Sequence, residues 1–340
     1  MKIGTGAGNM VQSYHLAELR DGRMDIRLEQ ALNALAAQYE LTALTRDAKT
    51  ISENYRLRTG AGKRLLTREG EAAAYAASRM PATFAAAQQA LSWALDCVDV
   101  EMESLLDCGA GTGAVTWAAD SLLELESVTC LEREAAMRTV GGELMCAGEG
   151  ALQSAVWQEW DAVSGSALPK ADLVCEGYMI GELSEENRLP AAQRMYEAAG
   201  KMALFIEPGT PQGFANLAAV RKHLAGLGAY VAAPCPAGTK DCPMAGEDWC
   251  HFTVRVQRTK LHKQLKGGDA PYEDEKFCFL ALTKEPPKAA CAARVLRHPQ
   301  IGPGRIALTL CENGSVQNRV VTKKDPLWKR ARKIGAGDAI

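Results

Sequence analysis

Apolar residues recur at helical spacing early in the chain, where Leu28, Leu32, Leu35 and Tyr39 fall on one face of a helix. An Ala-rich run from Glu71 to Leu95 continues the helical character, with Pro81 expected to interrupt it because proline lacks an amide proton and its ring clashes with the preceding turn. Few β-branched residues and no glycine cradle occur here, so the stretch predicts a helical cap. Its segment Tyr75 to Thr83 reads as packing that could abut a site.

The pattern changes at Ser104. Short apolar runs (SLLD, SVTCLE, SAVWQEW, ADLVCEGYMI, KMALFIEP and KFCFLALT) alternate with helical stretches, which predicts an α/β architecture with a mostly parallel, doubly wound sheet. From Pro234 to Cys250 the chain holds three cysteines, three prolines and two glycines, a composition that excludes a regular helix or strand and reads as a metal-organised loop set before the last strands. Beyond Pro286-Pro287, the runs ARVL, RIALTL and VQNRVVT, separated by Gly/Pro turns, predict a small β module. The expected organisation is a helical region over 1–95, a central domain over 96–286 containing the Cys-rich loop 234–251, and a basic β module over 287–340.

Composition alters this picture little. The 340 residues are 47% hydrophobic and 24% charged, as in ordinary globular chains. No stretch reaches the roughly 18 apolar residues of a membrane helix. The opening MKIGTGAGNM lacks the basic-then-apolar pattern of a secretory signal, and Asp21, Asp25 and Glu29 argue against an acid-poor transit peptide. A cytoplasmic protein, monomeric when free and without membrane partners, is the expectation.

Charge changes the picture more. Residues 251–340 hold 18 Lys and Arg against 8 Asp and Glu, net +10, whereas the whole chain has 39 against 41. The rest therefore carries 21 against 33, net -12. Arg255, Arg258, Lys260, Lys263 and Lys266 follow one another without an acid, and Lys323, Lys324, Lys329 and Arg330 belong to a second cluster interrupted only by Asp325. Such clustering is the footprint of a polyanion-binding surface, with a solvated charged face as the alternative.

Two motifs carry candidate chemistry. Asp107-Cys108-Gly109-Ala110-Gly111-Thr112-Gly113 follows a strand and opens a helix, the context in which a glycine turn cradles a ligand. Its D-x-G-x-G-x-G spacing differs from the dinucleotide pattern and looks like the first motif of class I S-adenosylmethionine-dependent methyltransferases. In those proteins an acid ending the next strand holds the ribose hydroxyls, a position matched by Glu132, and Asp161 stands where the adenine amine is often held. After the fourth strand, Glu176-Gly177-Tyr178-Met179 offers no D/N-P-P-Y/F signature, so no catalytic residue is assigned.

The second motif is the cysteine set. Of eleven cysteines, Cys97, Cys130, Cys146, Cys175, Cys278 and Cys291 read as small buried hydrophobes. Cys235, Cys242, Cys250 and Cys311 form C-x6-C-x7-C-x60-C, with proline after the first two. Four thiolates suit either a [4Fe-4S] cluster or zinc, and the absence of paired C-x2-C knuckles favours iron. His251 is the obvious substitute ligand.

Together these segments resemble the Rsm-twenty-two family, methyltransferase-like proteins of the small ribosomal subunit in bacteria and mitochondria. The resemblance runs in family order from Tyr75 to Asp338 through YAASRMPATFAA, LLDCGAGTGA, DLVCEGYMIGEL, FIEPGTPQGF, APCPAGTKDCPM, DWCHFTVRVQRTKLHK, YEDEKFCFLALTK and CENGSVQNRVVTKKDPLWKRARKIGAGD. It implies a class I methyltransferase fold, an iron–sulfur cluster on the four cysteines, and association with small-subunit ribosomal RNA during assembly or translation. Mitochondrial members look like assembly factors. S-adenosylmethionine binding is implied by the retained Gly109, Gly111, Gly113 and Glu132, and Trp328 and His262 are expected to offer stacking surfaces to RNA.

Overall fold

The computed structural model describes residues 23–57, 66–235, 242–244, 248–288 and 292–340. Helix α1 (Ile26–Ala36) begins where the Asp25 carboxylate accepts the Arg27 amide at 2.8 Å, and it buries Leu28, Ala31, Leu32 and Leu35. Helices α2 (Leu41–Leu57) and α3 (Glu69–Leu95) follow. Contrary to the interruption expected at Pro81, α3 continues through it. An interior proline costs a helix about 3 kcal/mol, but Pro81 and most of α3 are buried, so tertiary packing outweighs the lost bond.

Strands and helices then alternate: β1 (Ser104–Cys108), α4 (Ala114–Asp120), β2 (Ser127–Glu132), α5 (Ala135–Met145), β3 (Val156–Glu159), β4 (Ala171–Gly177), α6 (Glu185–Ala198), β5 (Ala199–Pro208) and α7 (Pro211–Gly226). After β6 (Tyr230–Ala233) come β7 (Phe252–Gln257), α8 (Lys260–Lys266) and β8 (Tyr272–Thr283). The strand order is β3-β2-β1-β4-β5-β8-β6, with β7 also paired to β8. Strands β1 to β5 are mutually parallel, whereas β8 is antiparallel to β5, β6 and β7. A Rossmann-like parallel sheet closed by an antiparallel strand inserted between the fifth and sixth is the class I methyltransferase fold. The chain reverses its direction of winding between β1 and β4, so the ligand crevice of an open α/β sheet falls at their carboxyl ends.

Strand β8 shows how sequence sets position. Its first half, Tyr272 to Lys276, alternates exposed with half-buried residues and pairs with β7, while Phe277 to Thr283 is buried throughout between β5 and its other neighbours. The alanines of α3 permit close approach, and the helix packs on α4, α5, β7 and β8. Trp93 near its end lies 5.2 Å from the Phe252 ring, 6.1 Å from Phe277 and 5.9 Å from Phe279. This helix is therefore a layer of the main core rather than a peripheral cap.

A second sheet contains β9 (Ala293–Val295), β10 (Gln300–Gly302), β11 (Arg305–Glu312) and β12 (Ser315–Thr322), followed by α9 (Trp328–Ala331). Val295, Ile306, Leu308, Leu310, Val321 and Ala331 form an apolar cluster of their own. Among the cysteines expected in the core, Cys97, Cys130, Cys175 and Cys278 are buried, but Cys146 is exposed. It follows the last residue of the short helix α5 as its C-cap, where the chain turns outward. Cys291 lies outside the described residues.

Candidate cofactor crevice and cysteine pocket

The glycine turn sits at the carboxyl end of β1. The Gly109 and Ala110 amides donate to the Leu131 carbonyl at 2.8 and 3.0 Å, anchoring the turn to β2. Gly109 has φ of 73°, and a Cβ there would meet Met179 at 2.7 Å, so both conformation and space demand glycine. Gly111 and Gly113 also have positive φ, and Gly113 is the N-cap of α4. The Glu132 carboxylate, at the end of β2, accepts the Gly111 amide at 2.9 Å through one oxygen and the Glu134 amide at 2.8 Å through the other. Asp161 lies just beyond β3, on the same side of the sheet, where its carboxylate accepts the Val163 amide at 3.1 Å.

The crevice is rich in carboxyl groups. Asp107 is fully buried; burial pushes its pKa to about 7 despite a hydrogen bond from Thr116 at 2.7 Å, and the charge of Glu132 adds to the rise. The other oxygen, Oδ1, is buried without a hydrogen-bond partner among the described residues. Burial also raises Glu132 and lifts Glu182 to about 7, the latter helped by the charge of Glu132. A buried acid with one oxygen unpartnered among the described residues, beneath a turn in which Gly109 leaves no room for a Cβ, fits a ligand carrying donors and positive charge, as S-adenosylmethionine does with its ammonium, sulfonium and ribose hydroxyls.

Sequence reading missed the construction of the neighbouring loop. Glu176, at the end of β4, accepts amides of Met179, Ile180 and Ile206 at 3.1, 3.2 and 3.1 Å. Glu207 accepts the Gly181 amide at 3.1 Å. Held by these carboxylates, Tyr178 adopts φ of 64°, a left-handed conformation costly for a residue with a side chain. Its hydroxyl donates to Glu275 at 3.0 Å, and Arg79 of α3 lies 3.8 Å from the same carboxylate. The only sequence signal was a pair of acids, in CEGY and FIEP, each ending an apolar strand where an unpaired charge would be expensive.

The four cysteines singled out by spacing line one cavity of about 50 Å³, together with a fifth, Cys278, and with Phe214, Arg221, Phe252 and Arg294. They arrive separately. Cys235 follows β6, Cys242 and Cys250 belong to the loop, and Cys311 lies on β11 of the second sheet. Cys242 and Cys250 pack with Met244, Leu296 and Cys311 in a single cluster. Burial pushes the Cys250 thiol well above its ordinary value, with the charges of Cys235, Cys242, Cys278 and Cys311 contributing. Burial likewise raises Cys235, opposed by Arg221 and Arg294. Thiolates gathered here would repel one another and could be satisfied by a cationic core, and the space is several times the roughly 10–15 Å³ that one water needs. A preformed set of three or more ligands at metal-binding geometry is not present among the described residues. His251 instead stacks on Trp249, with centroids 5.1 Å apart, and its ring faces the Trp249 carbonyl at 3.2 Å.

The basic candidates divide between two places. Arg255 is exposed on β7, lies over the Tyr272 ring at 4.0 Å and pairs with Asp274 at 3.0 Å. Lys260 is exposed and Lys263 half-buried on α8. Arg258 differs from expectation: it turns inward, within 3.5 Å of Glu273. His262 is fully buried rather than available for stacking, 3.5 Å from Glu273, with burial and the charge of Lys266 lowering its pKa to about 4. Lys323, Lys324, Lys329 and Arg330 are exposed beside the second sheet, and Trp328 is half-buried against that sheet's apolar cluster.

Comparison with known proteins adds a family. The sequence model described as mitochondrial small ribosomal subunit Rsm22 matches residues 69–340. The human ribosome assembly protein METTL17, mitochondrial, is 27% identical over 296 residues, covering 80% of this chain and 63% of the human protein. The chain thus spans less than two thirds of that relative's length. Solved structures similar to it include magnesium protoporphyrin IX methyltransferase from Synechocystis PCC 6803 with bound SAM, at 11% identity, covering 70% of this chain and 97% of that one with a TM-score of 0.40. Another is precorrin-6y C5,15-methyltransferase from Geobacter metallireducens, at 16% identity, covering 57% of this chain and 86% of that one with a TM-score of 0.37.

Proposed function

The chain belongs to the Rsm22 family, and on that premise we propose that it acts in assembly or translation on the small ribosomal subunit, binding ribosomal RNA, S-adenosylmethionine and a thiolate-held iron–sulfur cluster. The observation that carries this reading is the convergence of Cys235, Cys242, Cys250 and Cys311 from the main domain and the second sheet on one cavity. Four protein thiolates would fill the ligand positions of a [4Fe-4S] cluster, or of one zinc ion as the alternative. Such a centre would tie the second sheet to the methyltransferase fold and fix the basic residues of each. Arg255, Lys260, Lys263, Lys323, Lys324, Lys329 and Arg330 would then meet RNA phosphates as a rigid array.

In the crevice, Glu132 would accept the ribose hydroxyls, Asp107 would answer a donor of the cofactor, and Gly109 and Gly111 would let the backbone approach it. When bound, the cofactor supplies an electrophilic methyl group. A second reading, an active ribosomal RNA methyltransferase, is favoured by Tyr178, whose strained backbone is held at the end of β4 beside the glycine turn. Expected domain limits at 95 and 286, a cytoplasmic location and a monomeric free state belong to the same proposal.

Co-sedimentation with small subunits, comparing wild type, Cys311→Ser and Gly111→Asp, tests both readings. Cys311→Ser is expected to lose subunit binding. Gly111→Asp is expected to keep it while losing S-adenosylmethionine. Full subunit binding by a Cys311→Ser protein depleted of metal would refute the structural role of the centre. Transfer of a labelled methyl group to the subunit RNA, abolished by Gly111→Asp, would establish the second reading.

A further inference from the structure

Two buried arginines line the cysteine cavity. Arg294, on β9, is 2% exposed, and Arg221, on α7, is 5% exposed. The Arg221 side chain hydrogen-bonds to Cys235. Arg294 donates through Nε to the Pro234 carbonyl at 3.0 Å, one residue before Cys235, and through Nη1 to the Gly337 carbonyl at 2.8 Å. Its guanidinium also lies 5.7 Å from the Trp93 ring. No carboxylate stands within 4 Å of Arg294 among the described residues.

A permanently charged guanidinium buried against backbone carbonyls and an aromatic ring meets no counter-charge among the described residues, although burial demands one. Its neighbours across the cavity are thiols, neutral while protonated. Binding a metal core as four thiolates changes that balance: four negative sulfurs around Zn²⁺ or a [4Fe-4S]²⁺ core leave two negative charges on the centre, equal to the two guanidinium charges beside it. We infer that Arg221 and Arg294 are the counter-cations of a dianionic metal–tetrathiolate centre, positioning residues that retain the metal and, for iron, hold up its reduction potential. Arg294 would do more than balance charge, since its bonds to Pro234 and Gly337 link the start of the cysteine loop to the C-terminal tail. The inference rests on the thiolate centre proposed above, but it concerns residues outside the ligand set.

The test uses the full chain, purified without oxygen. Arg294→Gln and Arg221→Gln are expected to lose metal to a chelator about ten-fold faster or more, as removal of an outer-shell partner commonly does. Arg294→Lys, which keeps the charge, restores most of the retention. In an iron-bearing protein each Gln variant also has a more negative midpoint potential, because an added electron meets one cation fewer. Arg294→Gln should lower the melting temperature of the metal-bound protein more than that of the chelated protein, whereas a purely structural arginine would lower both alike. If Arg294→Gln does not fold, Arg221→Gln and Arg294→Lys decide the matter. Unchanged retention and potential in folded Gln variants of a metal-bearing protein overturn the inference alone. So does a retention loss produced only by neutralising Asp241 and Glu247, acids of the cysteine loop. A wild type that binds no metal overturns the centre itself and the inference with it.

Discussion

Asp107 gives a stability signature that can be worked through numerically. When the chain is unfolded its carboxyl titrates near the usual aspartate value of 3.8, and in the fold burial pushes it to about 7. Between those values the folded protein holds a proton that the unfolded chain has released. Raising the pH therefore favours unfolding through this range by about 1.4 kcal/mol per unit, and the effect levels off above the folded pKa. From pH 5 to pH 8 the contribution of this one group falls by about 3 kcal/mol. Asn at the same position has nearly the same shape, can accept the Thr116 hydroxyl and does not titrate. The difference in unfolding free energy, Asp107→Asn minus wild type, should thus rise by about 3 kcal/mol between pH 5 and pH 8. Urea unfolding of the cofactor-free protein, followed by tryptophan fluorescence, to which the fully buried Trp117 contributes, measures it at each pH. Other acids raised by burial, such as Glu182 and Glu207, titrate in both proteins and cancel in the difference. Parallel curves for the two proteins would refute the account of a buried, protonated Asp107.

The remaining predictions concern packing, the turn and the charge clusters. Trp93→Ala, which removes the ring at the centre of the Phe252, Phe277 and Phe279 cluster, should cost about 3–5 kcal/mol of stability in a denaturant titration. A loss below about 1 kcal/mol would show that α3 is not integral to the core. Gly109→Ala, which combines positive φ with a Cβ only 2.7 Å from Met179, should destabilise the protein more than Gly111→Ala, where the nearest atom is 3.5 Å away. Melting curves that reverse that order would contradict the turn geometry. Neutralising Lys323, Lys324, Lys329 and Arg330 together should flatten the salt dependence of RNA binding, with the slope of log affinity against log salt falling by about 0.7–0.9 for each phosphate no longer neutralised. An unchanged slope would assign those residues to solvent.

Much of the sheet was legible because its strands are buried on both faces and are therefore continuous apolar runs, as in KMALFIEP and KFCFLALT. The glycine turn was legible because positive φ and close backbone approach leave few residue choices at Gly109. The continuity of α3 through Pro81 was not, since local propensity opposed it and packing against strands far along the chain decided it. The burial of Arg258 and His262 escaped a reading by charge spacing because their partner, Glu273, is on β8, across the turn from α8. Cys146 shows the converse error: a cysteine's usual preference for the interior does not hold at a helix end that faces outward. The cysteine spacing selected four of the five cysteines that line one cavity, missing Cys278 because it sits inside an apolar strand, and the arginines beside them gave no local signal, since their role depends on what they face.

The metal centre proposed on Cys235, Cys242, Cys250 and Cys311 is open to direct measurement. Iron, zinc and acid-labile sulfide should be quantified in protein purified without oxygen, alongside its visible spectrum. About four irons and four sulfides per chain with a broad visible absorption are expected, all lost in Cys250→Ser. One zinc per chain and no colour would replace the cluster with a tetrathiolate zinc site, and protein that folds and binds small subunits without any stoichiometric metal would rule out a metal centre on these cysteines.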